Sequence, residues 1–112
     1  MIRSWLFLGD KEILYWCKNY PIYDFFNENL GGYDEHSDKY SISNETIDLF
    51  IELLNNSLKE LESGKNLIDI KDDKIYFYYH NKNDIEQEIN ILYRALFKQE
   101  RKGYSFSYRY TT

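Results

Sequence analysis

The sequence contains few of the residue types that build disulfides, metal centres and catalytic triads. Cysteine occurs once, at Cys17, which excludes an intramolecular disulfide and a cysteine-based zinc site and favours a reducing compartment. There are two histidines, and the chain has no glycine-rich phosphate loop, nucleophile elbow or His-Glu-x-x-His pair. We therefore expect a protein that is not an enzyme and that needs no cofactor or metal ion.

Proline and long apolar runs are also scarce. Proline occurs once and glycine five times in 112 residues, a composition typical of an ordered globular fold and not of a flexible linker. The apolar stretch near the N-terminus is too short for a signal peptide or a membrane span. These observations predict a single domain over residues 1–112 and a cytoplasmic location.

Charge is unevenly distributed along the chain. The formal net charge is −5, which disfavours a general binder of nucleic acids or anionic membranes, because that binding depends on lysine and arginine. Residues 24–52 carry eight carboxylates against Lys39 alone, whereas residues 94–112 carry five cations against Glu100 alone. The chain therefore combines an acidic front half with a mildly basic tail.

Aromatic residues are abundant, at 19% of the chain, and twelve of them are tyrosines. Tyrosine joins a large apolar ring to a polar tip and has few rotatable bonds, so it is frequent in interfaces and in cores that end near water. The excess of tyrosine favours a binding surface without locating it.

The first third of the chain predicts a strand followed by two helices. Residues 2–8, "IRSWLFL", are apolar on both faces, as in a central strand. Asp10 is a suitable N-cap for a helix over "KEILYWCKNY", which places Cys17 and Trp16 on its apolar side. A second short helix, "PIYDFFNENL", begins at Pro21 and ends at Gly31. Both tryptophans, and the Cys17 thiol, are expected to be buried.

The rest of the chain predicts a loop, a long helix, a hairpin, a third helix and a final strand. Residues 33–43 form the loop, and the long helix begins at Ser43 or Asn44 and ends at Gly64. The hairpin covers "NLIDIKDDKIYFYY", the third helix begins at Asn83 with Glu86 and ends near Gly103, and "YSFSYRY" forms the last strand. The side chains that we expect this strand to direct into the core, beside "IYFYY", are Tyr104, Phe106, Tyr108 and Tyr110.

This order of elements predicts an α+β fold. The sheet is expected to be small and largely antiparallel, with about three to four strands, and about three amphipathic helices should pack on one of its faces. Such a sheet has one covered face and one open face.

Two surfaces stand out as candidate binding sites. An acidic segment with flanking tyrosines can imitate phosphates and occupy a basic groove on a protein partner. Its candidate residues are Tyr33, Asp34, Glu35, Asp38, Tyr40, Glu45 and Asp48. A set of tyrosines and arginines can instead stack on and neutralise a nucleotide. Its candidate residues are Tyr76, Tyr78, Arg94, Arg101 and Arg109. The loop sequence "DEHSD" is interpreted as a polar loop and not as a metal site.

Four short segments resemble a group of small proteins of phages and prophages. They are "WLFLGDKEILYW", "YSISNETIDLF", "IYFYYHNKNDIEQEI" and the C-terminal "FSYRYTT". In that group an aromatic stretch leads into an Ile-x-x-Trp helix, and a tyrosine-rich strand closes the chain. The resemblance implies an accessory gene of a mobile element in a bacterial host, and it supplies no catalytic residues.

Three functional hypotheses follow. The leading one is a non-enzymatic inhibitor of a bacterial defence effector, of the anti-CRISPR type, which binds a host defence protein or nuclease complex through the acidic, tyrosine-rich surface. The alternative is a sponge that sequesters a nucleotide immune signal, in a homo-oligomer whose interfaces form the pockets. The third is a structural or regulatory phage protein. None of the three involves a membrane or direct contact with nucleic acid.

Overall fold

Seven secondary-structure elements are present in the computed structural model, which describes residues 2–33, 39–63 and 81–112. In chain order they are β1 (Arg3–Leu8), β2 (Lys11–Cys17), α1 (Tyr20–Asn29), β3 (Tyr40–Ile42), α2 (Asn44–Glu62), α3 (Lys82–Lys102) and β4 (Phe106–Thr111). Four strands and three helices confirm the predicted α+β fold.

The four strands form one antiparallel sheet in the order β2-β1-β4-β3. β1 pairs with β2 on one side and with β4 on the other, which confirms the central strand predicted for the N-terminal segment. β4 is the second central strand, because β3 pairs with its first half through Tyr40, Ser41 and Ile42. The two ends of the described chain therefore lie side by side in the middle of the sheet.

The helices cover one face of this sheet and build the core with it. Leu6 and Tyr108 project from the central strands and are fully buried, as is Phe26 of α1. Every element contributes to the core, whose further residues are Leu8, Leu14, Trp16, Ile22, Phe25, Ile42, Ile47, Phe50, Ile51, Leu54, Ile85, Ile89, Leu92, Ala95 and Phe106. We call the opposite side of the sheet the outer sheet face; its side chains include Trp5 and Phe7, which alternate with Leu6 along β1.

The helix predicted over "KEILYWCKNY" is wrong, because residues 11–17 form strand β2. Gly9 and Asp10 make the connection of a β-hairpin between Leu8 and Lys11, so Asp10 is not an N-cap. The segment is rich in aromatic and branched residues, which pack well on a pleated sheet. Its burial alternates accordingly, with Trp16 buried and Cys17 exposed, so the buried thiol was also predicted wrongly.

The other helix predictions are confirmed, with one shifted boundary. α1 starts next to Pro21, and α2 is capped by Ser43, whose Oγ accepts a hydrogen bond from the Thr46 N–H at 3.2 Å. α3 is capped by Asn81 and not by Asn83. It ends at Gly103, which has the left-handed conformation at φ 71°.

The structure differs from three further predictions. Trp5 was expected in the core but is half-buried on the outer sheet face. The predicted loop over residues 33–43 contains the short strand β3. In the last segment Phe106 and Tyr108 face the core as predicted, whereas Tyr104 precedes the strand and is 48% exposed. The predicted hairpin over "NLIDIKDDKIYFYY" and the stop at residue 64 lie outside the described residues.

Candidate functional site

A groove of about 790 Å³ lies between the β1–β2 hairpin and the C-terminal half of α3. This volume is within the range of small-molecule sites, roughly 300–1,000 Å³. Its described lining residues are Leu8, Gly9, Asp10, Lys11, Glu12, Ile13, Ile91, Arg94, Ala95, Lys98, Lys102 and Tyr104. We refer to it as the hairpin–α3 groove.

The hairpin wall of the groove depends on Gly9. Its φ of 59° lies in the left-handed region, which a glycine adopts without steric cost. The Gly9 N–H donates a hydrogen bond of 2.9 Å to the Ser105 carbonyl, and a Cβ at position 9 would lie 3.5 Å from the Tyr104 ring. The turn is thereby attached to the segment before β4, and the Tyr104 ring is held against the hairpin.

The helix wall of the groove carries a row of cations. Arg94, Lys98 and Lys102 repeat every four residues, so they lie on one side of α3 with steps of roughly 6 Å along the helix axis. Like charges at this spacing destabilise a helix by about 0.2–0.5 kcal/mol per pair. The helix dipole offsets that cost for Lys102 in the last turn but not for Arg94, two turns earlier. Helix stability therefore does not explain the row.

The groove has a positive charge balance although the chain is acidic. Lys11 of the hairpin adds a fourth cation to the three on α3, and the carboxylates in the lining are Asp10 and Glu12. Among the described lining residues the balance is four positive against two negative charges, a net +2, whereas the whole chain carries −5. A concave site of this kind attracts anions, and its two carboxylates can accept hydrogen bonds from hydroxyl or amino groups.

Tyr104 adds an aromatic surface to the groove. Its side chain is 48% exposed, and its ring lies over the backbone of Gly9. Exposed aromatic rings stack on planar ligands in proteins that bind nucleotides and single strands. The groove therefore joins a row of cations to a ring that can stack.

The arginines predicted to bind a nucleotide together are in three different places. Arg94 lines the groove. Arg101 is on the same helix but lies over the Phe97 ring, 5.6 Å from its centroid. Arg109 lies over the Trp5 ring on the outer sheet face, also at 5.6 Å. Tyr76 and Tyr78, from the same predicted set, lie outside the described residues.

The predicted partner-binding residues are distributed over two environments. Glu45 and Asp48 are exposed in the first turns of α2. Tyr33 and Tyr40 are half-buried, with ring centroids 5.5 Å apart. Asp34, Glu35 and Asp38 lie outside the described residues.

Tyr33 belongs to a tyrosine cluster that joins α1 to β4. Its hydroxyl donates a hydrogen bond to the Tyr23 carbonyl and lies 3.2 Å from the Tyr108 hydroxyl. Its ring contacts the Tyr110 ring at 4.3 Å and the Tyr23 ring at 4.8 Å between centroids. Burial raises the pKa of Tyr33 far above its usual value and raises the pKa of Tyr108 to about 12. Both hydroxyls are therefore neutral near pH 7, and their hydrogen bonds and ring contacts connect α1 to β4.

Metal binding has no prepared site in the part of the chain that the structure describes. No group of three or more His, Cys, Asp or Glu side chains there is placed to hold a metal ion. Cys17 is exposed at the end of β2, beside Tyr15, with which it interacts. The hairpin–α3 groove is consequently the candidate site that the geometry favours.

Comparison with protein-family models, with curated protein sequences and with solved structures gave no match to this chain. The resemblance to phage and prophage proteins therefore stays a prediction. None of the described helices is both long enough and apolar enough to cross a bilayer.

Most of the groove was not predicted from the sequence. Arg94 was identified because it belongs to the basic tail, but Lys98 and Lys102 were not selected, and the hairpin residues were assigned to a helix. One signal was available: Gly9-Asp10 separates two aromatic-rich runs, and Gly-Asp is a dipeptide typical of two-residue hairpin turns.

Proposed function

We propose that this protein binds a nucleotide-like ligand in the hairpin–α3 groove and does not transform it. The ligand class is a molecule that carries phosphates and a planar ring. The proposal retains the alternative hypothesis drawn from the sequence, a protein that sequesters a nucleotide signal, and it takes the bacterial cytoplasm as the setting.

The row of Arg94, Lys98 and Lys102 opposite the Tyr104 ring is the observation that carries this proposal. Arginine and lysine form charge-assisted hydrogen bonds with phosphate oxygens, and a row along a helix can follow two or more phosphates. Tyr104 supplies the surface on which a base would stack. It follows Lys102 by two residues, so it belongs to the C-terminal end of the row of cations. The described lining residues include no histidine, serine or cysteine, and the proposal is limited to holding the ligand.

A thermal-shift screen tests the proposal. The ligands are cyclic mononucleotides, cyclic dinucleotides, ADP-ribose and inorganic pyrophosphate, each at several salt concentrations. A ligand that binds the folded state alone raises the melting temperature, by an amount that corresponds to about 2.7 kcal/mol at a hundredfold excess over Kd. We expect at least one nucleotide to raise it more than pyrophosphate does, because only the nucleotide has a ring. If no ligand shifts the transition, the proposal is wrong.

The double variant Arg94→Ala/Lys98→Ala removes two charged contacts and should weaken binding of such a nucleotide by about 100-fold or more. Hydrogen bonds to charged groups contribute roughly 1.5–3 kcal/mol each, and each 1.4 kcal/mol changes Kd about tenfold. Isothermal titration calorimetry measures the loss. Arg101→Ala is the matched control, since it removes a cation from the same helix outside the groove. Equal losses in both variants would mean that the general charge of α3, and not the groove, attracts the ligand.

A second proposal concerns the acidic surface of α2, and we name it the α2 acidic stripe. Glu45, Asp48 and Glu52 are exposed at helical spacing, and Leu49, 40% exposed, lies among them. An apolar side chain surrounded by carboxylates is suited to a basic protein surface, where the charges steer association. This surface supports the leading hypothesis from the sequence, inhibition of a bacterial defence effector by a phage protein.

Reversal of two charges tests the α2 acidic stripe. Glu45→Lys/Asp48→Lys should slow association with a basic defence nuclease about tenfold at low salt, and the difference should shrink as salt rises. Surface plasmon resonance with purified nuclease complexes gives both rates. Glu100→Lys, at an exposed position on α3, is the control. If the double variant associates at an unchanged rate, the α2 acidic stripe is not part of the interface.

A further inference from the structure

The outer sheet face carries aromatic rings in a regular arrangement. Trp5 of β1 pairs with Tyr15 of β2 on one side and with Arg109 of β4 on the other, so the three side chains form one row across three strands. Phe7 follows two residues after Trp5, at roughly 6.6 Å along β1, and projects to the same face. Two rows of the face therefore each present at least one aromatic ring.

Each of the two β1 rings on this face has a cation over it. The Arg109 guanidinium lies 5.6 Å from the Trp5 ring centroid, and the Lys39 ammonium lies 4.2 Å from the Phe7 ring centroid. Tyr15 is 47% exposed, and its ring is tilted by 38° against Trp5 at a centroid distance of 5.5 Å. Trp5 and Phe7 thus each lie beside a cation, and Tyr15 adds a third ring to the same face.

The charges of the outer sheet face indicate what kind of molecule it fits. Arg3, Lys39 and Arg109 are exposed cations here, and among the residues that the structure describes Glu12, opposite Phe7, is the carboxylate paired into the same face. A second copy related by a two-fold axis would bring these cations together, which is unfavourable. The face is therefore complementary to an anionic molecule, although the chain as a whole carries −5.

We propose that the outer sheet face binds single-stranded nucleic acid. Bases would stack on Trp5 and Tyr15. Arg109 and Lys39 would move away from the rings that they now cover and would form ion pairs with the phosphates. Aromatic side chains on a sheet surface with adjacent cations are a general means of binding single-stranded nucleic acid, because every base has a flat face. This site is separate from the hairpin–α3 groove and does not depend on the function proposed for it.

Fluorescence anisotropy with labelled oligothymidine and oligouridine, each twelve nucleotides long, tests the proposal on the full chain. Binding should weaken with salt, with a slope of log K against log salt of about −2, since each phosphate contact on a single strand contributes roughly −0.7 and three cations are available. Trp5→Ala and Arg109→Ala should each raise Kd about 10-fold to 100-fold.

The controls reproduce the same chemistry elsewhere on the surface. The Arg101 guanidinium lies 5.6 Å from the Phe97 ring centroid, the same distance as between Arg109 and Trp5. The single variants Arg101→Ala and Phe97→Ala therefore each remove one member of an equivalent pair on α3. Both should bind the oligonucleotides with unchanged Kd, and Arg94→Ala measures any part of the binding that the groove contributes. Circular dichroism confirms the fold of each variant, and Arg109→Ala alone decides the question if Trp5→Ala does not fold.

Four results would overturn the proposal. The first is no binding of either oligonucleotide at low salt. The second is an equal loss of affinity in the α3 controls. The third is a loss in Arg94→Ala with none in Arg109→Ala, which would place the oligonucleotide in the groove. The fourth is that polyglutamate displaces the oligonucleotides or binds more tightly than they do. That result would indicate that the face binds an acidic protein.

Discussion

Replacement of Phe26 by alanine is expected to lower the free energy of unfolding by about 4 kcal/mol, the middle of the range for a fully buried phenylalanine. Phe26 has no exposed surface and stacks on Tyr108 with 4.2 Å between ring centroids. It also contacts the rings of Phe25, Phe50 and Trp16 at centroid distances of 5.1, 5.4 and 6.1 Å. The substitution therefore removes apolar area and several aromatic contacts and leaves a cavity at the junction of α1, α2 and the sheet.

Urea denaturation followed by circular dichroism measures this loss. Phe97→Ala is the matched control, because the same atoms are removed from a ring that is 60% exposed on α3. Its effect should stay within about 0.5 kcal/mol. A small domain is stable by roughly 5–15 kcal/mol, so Phe26→Ala should have a large unfolded fraction in mild denaturant. Similar values for both variants would contradict the position of Phe26 in the core.

A rise in pH above 10 is expected to destabilise the protein steeply. Well below pH 10 the hydroxyls of Tyr33 and Tyr108 are neutral in both the folded and the unfolded chain. Burial raises the pKa of Tyr108 to about 12 and that of Tyr33 further, against about 10 in the unfolded chain. Between these values the unfolded chain loses protons that the folded chain retains, so stability is lost as pH rises.

For Tyr108, which is fully buried, this linkage amounts to about 1.4 kcal/mol per pH unit between pH 10 and pH 12. Urea titrations at pH 9, 10, 11 and 12 provide the slope. Tyr108→Phe should reduce it by about that amount, whereas Tyr93→Phe, at a side chain 54% exposed, should leave it unchanged. A slope that is identical in both variants would show that other groups control unfolding in alkali.

Local signals explain why α2 and α3 were predicted from the sequence. Ser43 before α2 and Gly103 after α3 act through hydrogen bonds and backbone conformations within a few residues, and each helix has an apolar stripe at its own spacing. The same local reasoning failed for β2. Residues 11–17 contain apolar side chains that fit both a helical and an alternating pattern. Pairing with β1 through the Gly9-Asp10 turn determines the strand, and the pattern within residues 11–17 does not show this pairing.

The groove and the outer sheet face depend on contacts between distant parts of the chain. Gly9 meets Tyr104, and Trp5 meets Arg109, because β1 and β4 pair across almost the whole sequence. Composition indicated a basic tail and an excess of aromatic residues, but it contained no information on which strand lies beside which. Trp5 was assigned to the core for this reason, since the face to which a strand directs its side chains follows from the layer that covers it.

The two sites adjoin one another through β2. Glu12 lines the hairpin–α3 groove and also lies opposite Phe7 on the outer sheet face. The variants proposed for the two sites share no residue, so each site can be removed while the other is kept. Binding at both sites would characterise a protein that recognises anionic, base-containing molecules through two neighbouring surfaces.

Chemical-shift mapping by nuclear magnetic resonance tests the central claim most directly. The protein labelled with ¹⁵N is titrated with the nucleotide that gives the largest thermal shift, at low salt. The account predicts that the perturbed backbone amides are those of Gly9 to Ile13, of the α3 turns that carry Arg94, Lys98 and Lys102, and of Tyr104. Perturbations confined to α2 or to the outer sheet face, or none at millimolar ligand, would contradict a nucleotide site in the groove.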